Sequence, residues 1–138
     1  MFKQGSWKAV GLSMACGAAY DLCFAVAILF FAAPAAALLG LAVPADPLYL
    51  RLNGIFLLLL AGLYSLPAVA PRRYSGVVVV AVAGRTLGFL FFAWSWKTGA
   101  APVFLALGTL DLLFAVLHAA LLWRTGRTSS QPEQNTGA

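Results

Sequence analysis

Residues 76–96 read GVVVVAVAGRTLGFLFFAWSW, an apolar run of 21 residues interrupted by one charge, Arg85, near its middle. As an α-helix rising 1.5 Å per residue, such a run extends about 30 Å, the thickness of a bilayer's hydrocarbon core. The β-branched run at 77–80 would suit a strand. A lone strand leaves its backbone unpaired in lipid, however, whereas a helix satisfies every peptide group internally. The segment therefore predicts a membrane-spanning helix, with Trp94 and Trp96 as anchors at one interface.

Three further runs of this kind flank it, at residues 9–33, 48–66 and 103–123. The first is too long for a signal-peptide core and carries Asp21 near its middle, so it reads as a retained helix. The second is expected to stop at Pro67, before a polar turn, Pro71-Arg72-Arg73-Tyr74-Ser75. The last follows the loop Lys97 to Pro102 and closes on Trp123 and Arg124. Residues 34–47, PAAALLGLAVPADP, are apolar but broken by three prolines and Gly40. They cannot span, and are expected to form a short helix or loop at the interface. Residues 124–138 are polar and aperiodic and read as a disordered tail. The expected fold is all-α: a polytopic four-transmembrane-helix bundle occupying residues 1–123.

Composition points the same way. The 138 residues are 62% hydrophobic and 9% charged, with mean hydropathy +0.91. Soluble domains average roughly 45–50% apolar and about 25% charged. A globule this small would lack polar groups to cover its surface, a requirement that lipid removes. The basic residues flank the apolar runs, with Lys3 and Lys8, Arg72 and Arg73, and Arg124 and Arg127 on one side and only Lys97 and Arg51 on the other. This pattern is a topology signal rather than a nucleic-acid surface, and it places both termini in the cytoplasm of a multi-pass cell (inner) membrane protein. Cys16 and Cys23 stand about 10 Å apart along one helix, too far for a disulfide, and are expected to be buried small hydrophobes.

The residues that carry chemistry are the charges at membrane depth. Asp21, Arg85 and Asp111 sit near the middle of the first, third and fourth spans, and Arg51 lies about one turn inside the second. A central charge costs roughly 2.5–3.5 kcal/mol, so three left unpaired would cost about 7–10 kcal/mol. The antiparallel spans bring Arg85 and Asp111 to similar depth, as they do Asp21. We expect Arg85 to bridge the two aspartates, with Arg51 approaching from above. Helical spacing gives each span a small or polar face: Ser13, Gly17, Asp21 and Ala25 on the first; Arg51, Gly54, Leu58, Ala61 and Ser65 on the second. The third presents Gly84 and Gly88 around Arg85, and the fourth Gly108, Asp111, Ala115 and His118. Gly17, Gly84, Gly88 and Gly108 are the expected helix-packing positions. His118 reads as a hydrogen-bonded packing residue. No residue spacing calls for a metal or other cofactor.

Asp21-Leu-Cys-Phe-Ala-Val26 echoes Asp111-Leu-Leu-Phe-Ala-Val116, and Arg51-Leu-Asn-Gly54 echoes Arg85-Thr-Leu-Gly88. The first pair has two readings: a relic of inverted symmetry, or two helices packing on one ion cluster. Arg51-xx-Gly54, Tyr64, the Pro-Arg-Arg-Tyr turn, Gly84-Arg85-xx-Gly88 and Asp111-Leu-Leu-Phe-Ala also carry a resemblance. Residues 49–123 resemble a loose class of small uncharacterised bacterial four-helix integral membrane proteins. The resemblance implies architecture and no mechanism.

Two readings of the cluster stand at this level: an ion network that fixes helix register, or a polar cavity or proton path. The function expected is an accessory, scaffold or small-molecule- or lipid-binding component. The alternative is a small proton-coupled transporter acting as a homo-oligomer. An enzyme is disfavoured because Asp111 and His118, two turns apart, are too distant for a direct hydrogen bond. The expected partners are the lipid bilayer and either a second copy of the chain or a larger membrane complex.

Overall fold

A computed structural model of the chain describes the backbone of residues 3–129 and the side chains of residues 7–126. Five helices follow in order: α1 (Lys3–Phe30), α2 (Ala32–Leu38), α3 (Leu48–Val69), α4 (Ser75–Lys97) and α5 (Pro102–Ser129). All but α2 are long and apolar enough to cross a membrane. The fold is a four-transmembrane-helix bundle, with no strand among the described residues.

Helix ends follow local chemistry. Gly40 and Gly99 adopt φ of +67° and +105°, the left-handed turn that closes α2 and α4. The amide of the residue after each glycine reaches back to a helix carbonyl, Leu41 to Ala36 at 2.8 Å and Ala100 to Ser95 at 3.0 Å. Pro102 opens α5, where a missing amide costs nothing. The Asp46 carboxylate accepts the Leu48 amide at 3.0 Å and starts α3. Residues 34–47 do not span: α2 takes their first part and an irregular segment the rest.

The helices pack as two close pairs, α1 with α3 and α4 with α5. Glycine permits each approach. A Cβ at Gly54 would lie 2.9 Å from both Ile28 and Leu29, and one at Gly108 would lie 2.9 Å from Phe92. α1 and α5 join the pairs, while α3 and α4 meet only sparsely. The bundle is closed by a core of Val10, Met14, Tyr64, Val78 and Ala81 at the end that holds the 71–74 turn. Toward the α2 end a cavity lies between the two pairs.

Polarity is inverted relative to a soluble bundle. Ser13, Asp21, Arg85 and His118 are buried, whereas Leu87, Leu90, Phe91 and Leu113 are exposed to lipid. Hydroxyls on the outer faces bond carbonyls of their own helix, as Ser65 does to Gly62 and Thr109 to Leu105, so they carry no unpaired donor into hydrocarbon.

Four expectations change. Pro67 does not end the second span. It is buried within α3, which runs on to Val69, because so near the helix end the lost amide affects only the final turn. Cys16 and Cys23 are exposed, not buried; they fall on the lipid face of α1, where a weakly polar thiol is tolerated. Residues 124–129 are helical, since α5 continues to Ser129; the rest of the expected tail, 130–138, lies outside the described residues. On α3 only Gly54 and Ala61 of the expected stripe face inward, while Arg51, Leu58 and Ser65 are exposed. The inner row, Gly54, Leu57, Ala61, Tyr64 and Ala68, shares Gly54 and Ala61 with the expected one but lies on a face rotated from it; both rows alternate three- and four-residue steps, so helical spacing does not choose between them.

The glycine contacts set a stability test. Gly108→Ala is expected to lower stability by about 1–3 kcal/mol through overpacking against Phe92. Gly62→Ala, with nothing within 4 Å of its Cβ, should leave stability unchanged or raise it by up to about 1 kcal/mol. Reversible unfolding in mixed micelles measures both.

Candidate functional site

The Arg85 guanidinium joins three of the long helices by hydrogen bonds. Nη1 donates to Asp111 Oδ1 of α5 at 2.6 Å, and Nη2 donates to Asp21 Oδ2 of α1 at 3.0 Å. Nη2 also reaches the Gly17 carbonyl at 3.3 Å. The contact exists because residue 17 lacks a side chain: a Cβ there would stand 3.3 Å from both Arg85 Nη2 and His118 Nε2. Gly88 does the same for Asp111, whose Oδ2 lies 3.3 Å from its Cβ position. A planar fork suits this double pairing, which a lysine ammonium on a single stem cannot reproduce.

Three aromatic rings surround the cation. Its Cζ lies 4.7 Å from the Phe114 centroid and 5.5 Å from those of Tyr20 and Tyr64. Arg85 Nε, buried, has no oxygen partner, and the ring faces supply its electrostatic environment. Through Tyr64 the cluster also touches α3. These rings are the part that sequence reasoning missed. Phe114 falls one turn from Asp111 and Tyr20 beside Asp21, so helical spacing carried a signal for the first. For Tyr64 the signal was its place on the row Gly54, Ala61, Tyr64.

His118 packs below the cluster. The Ser13 hydroxyl donates to the Val10 carbonyl at 2.9 Å, which leaves its oxygen to accept from His118 Nδ1 at 3.2 Å. His118 Nε2 is buried with no hydrogen-bond partner. A proton there would strand a donor beside a guanidinium, so Nε2 carries the lone pair and the imidazole is neutral.

Arg51 does not join the site. Its side chain is exposed, and the ion pairs of Arg85 are with Asp21 and Asp111 alone. One turn from the start of α3, its long side chain reaches the interface more cheaply than the bundle interior. Gly84 is likewise not a helix-crossing point: it is exposed, and the nearest atom to its Cβ position is the Tyr64 hydroxyl at 4.0 Å. Without Arg51 the described cluster holds two carboxylates to one guanidinium.

Above the cluster, where α3 and α4 diverge, lies a cavity of about 760 Å³. Its floor is Tyr20, Asp21, Tyr64, Arg85 and Asp111. Its walls are mainly Phe, Leu, Ile and Ala, with Leu39, Leu41, Ala42, Val43 and Pro44 lining it near α2. From Tyr64 to Leu50 along α3 it extends about 20 Å. Asp111 is the most exposed of the floor's charged residues: its side chain is 18% exposed against 4% for Arg85 and 5% for Asp21. Among the described residues no group of His, Cys, Asp and Glu could hold a metal ion.

The charge count yields an asymmetric prediction. Arg85→Leu leaves two buried carboxylates unpaired and should cost about 3–5 kcal/mol, read as poor insertion and a lower unfolding midpoint. Asp111→Asn leaves a balanced Asp21–Arg85 pair and should cost less than about 1 kcal/mol. Equal losses in the two variants would contradict this account of the cluster. No protein-family model matches the chain, and no curated protein or solved structure matches it either.

Proposed function

We propose that this chain is a membrane-embedded binding or accessory component that takes a small amphiphilic or lipid molecule from the bilayer into the cavity between α3 and α4. The observation that carries the reading is the cavity itself. Its volume of about 760 Å³ falls within the range of about 300–1,000 Å³ common to small-molecule sites, and it pairs an apolar body with a few convergent polar groups. A purely structural ion pair needs no such space beside it. By the charge distribution of the sequence, both termini and the 71–74 turn face the cytoplasm, and the cavity opens toward the opposite leaflet.

A second reading, proton-coupled transport by a homo-oligomer, draws on one observation: the excess carboxylate at the cavity floor could exchange a proton for a cation. Transport also requires the other end to open, and there Val10, Met14, Val78 and Ala81 are buried in one core with Tyr64. The binding reading needs no such rearrangement.

Native mass spectrometry from mild nonionic detergent tests the proposal. The wild-type chain should carry a small molecule that survives purification. Gly84→Trp, which places a large ring in the cavity from a position with free space around it, should fold normally and lose at least about nine-tenths of that adduct. A ligand-free dimer dissociated by Gly84→Trp would instead make the cleft a subunit interface and overturn the binding reading.

A further inference from the structure

We infer that the cavity selects a cationic amphiphile: a protonated amine or quaternary ammonium carried on an apolar body, with the cation seated against Asp111. This rests on the binding reading above and specifies the chemistry of its ligand. Every charged group at the cavity floor enters the count. Asp21 and Asp111 bring two formal negative charges, and Arg85 brings one positive charge. His118, hydrogen-bonded through Nδ1 and unpartnered at Nε2, brings none. Arg51, the cation that would have balanced the set, is exposed outside it.

The residual negative charge is localised. Asp21 is buried against Arg85, while Asp111 uses Oδ1 for the guanidinium and shows no hydrogen bond at Oδ2 among the described residues. Both carboxylates line the cavity, and Asp111 is the more exposed of the two. The guanidinium cannot serve an anionic ligand equally well: both Nη atoms are committed, Nε is buried out of a ligand's reach, and aromatic rings surround the group. In a low-dielectric cavity an opposite charge beside the open carboxylate interacts far more strongly than in water. The walls above, among them Phe24, Leu57, Phe92 and Leu107, accept only the apolar remainder of such a molecule, and Asn53 is the one polar side chain outside the floor.

Three probes with the same chain separate the alternatives: dodecyltrimethylammonium, dodecanol and dodecanoate, titrated by native mass spectrometry against the full chain in nonionic detergent. The cation should bind at least about tenfold more tightly than dodecanol, equivalent to about 1.4 kcal/mol, and dodecanoate most weakly. Asp111→Asn should reduce that preference to below about twofold, and Asp111→Glu should retain it. Gly84→Trp should abolish binding of all three. Equal affinity of cation and alcohol for the wild-type chain, or a preference for dodecanoate, overturns the inference and leaves the cavity reading standing. Probe binding that is absent, or indifferent to Gly84→Trp, defeats the cavity reading itself. Should Asp111→Asn fail to fold, the order of the three probes on the wild-type chain decides.

Discussion

Everything inside this bundle is arranged around one guanidinium that must not be left alone in hydrocarbon. Arg85 could enter the membrane only if its charge were met there, and the answer comes from two other helices: Asp21 on α1 and Asp111 on α5. The glycines at 17 and 88 follow from that demand, because the first clears room for the guanidinium and the second for the Asp111 carboxylate. The rings of Tyr20, Tyr64 and Phe114 complete its surroundings. Side-chain contacts within one residue's reach thus fix the relative depth of all four long helices, which nondirectional apolar packing in lipid does not do.

The same clamp explains why the bundle is closed at one end and open at the other. Below Arg85 the helices converge on Val10, Met14, Tyr64 and Val78, and the buried polar side chains there are Ser13, His118 and Thr125. Above it, glycine draws each helix toward its own partner, Gly54 for α3 onto α1 and Gly108 for α5 onto α4. Pulled apart in pairs, α3 and α4 leave the space that becomes the cavity. Its polar floor and apolar walls are therefore by-products of one packing scheme, and together they have the composition of a binding site.

A two-to-one ratio of carboxylate to guanidinium is an unusual resting state for a structural ion network, which gains most when its charges cancel. The residual charge sits where the cavity reaches the cluster, at Asp111. Both carboxylates tie a helix to Arg85, but they differ in exposure: Asp21 is buried, and Asp111 is partly exposed.

Much of the fold was legible in the sequence because the bilayer reduces the choices. Four apolar runs of spanning length, interrupted at Pro34–Pro47 and at the Arg72-Arg73 turn, admit only helices, since lipid leaves no other way to satisfy a backbone. The Asp21–Arg85–Asp111 group was equally legible, because charges at matched depth in a medium that penalises them must find one another. What the sequence could not settle was anything that depended on which way a helix rotates or how far it stands from its neighbour. Arg51, Gly84 and Tyr64 were each within reach of the interior by periodicity alone. Tertiary packing turned the first two outward and the third inward, because the close approaches at Gly54 and Gly108 determine where α3 and α4 part. The sequence by itself determined that this chain spans a membrane four times and buries an ion cluster. Only the tertiary structure decided that the cluster is one cation short and opens onto a cavity, because both depend on the distances between helices.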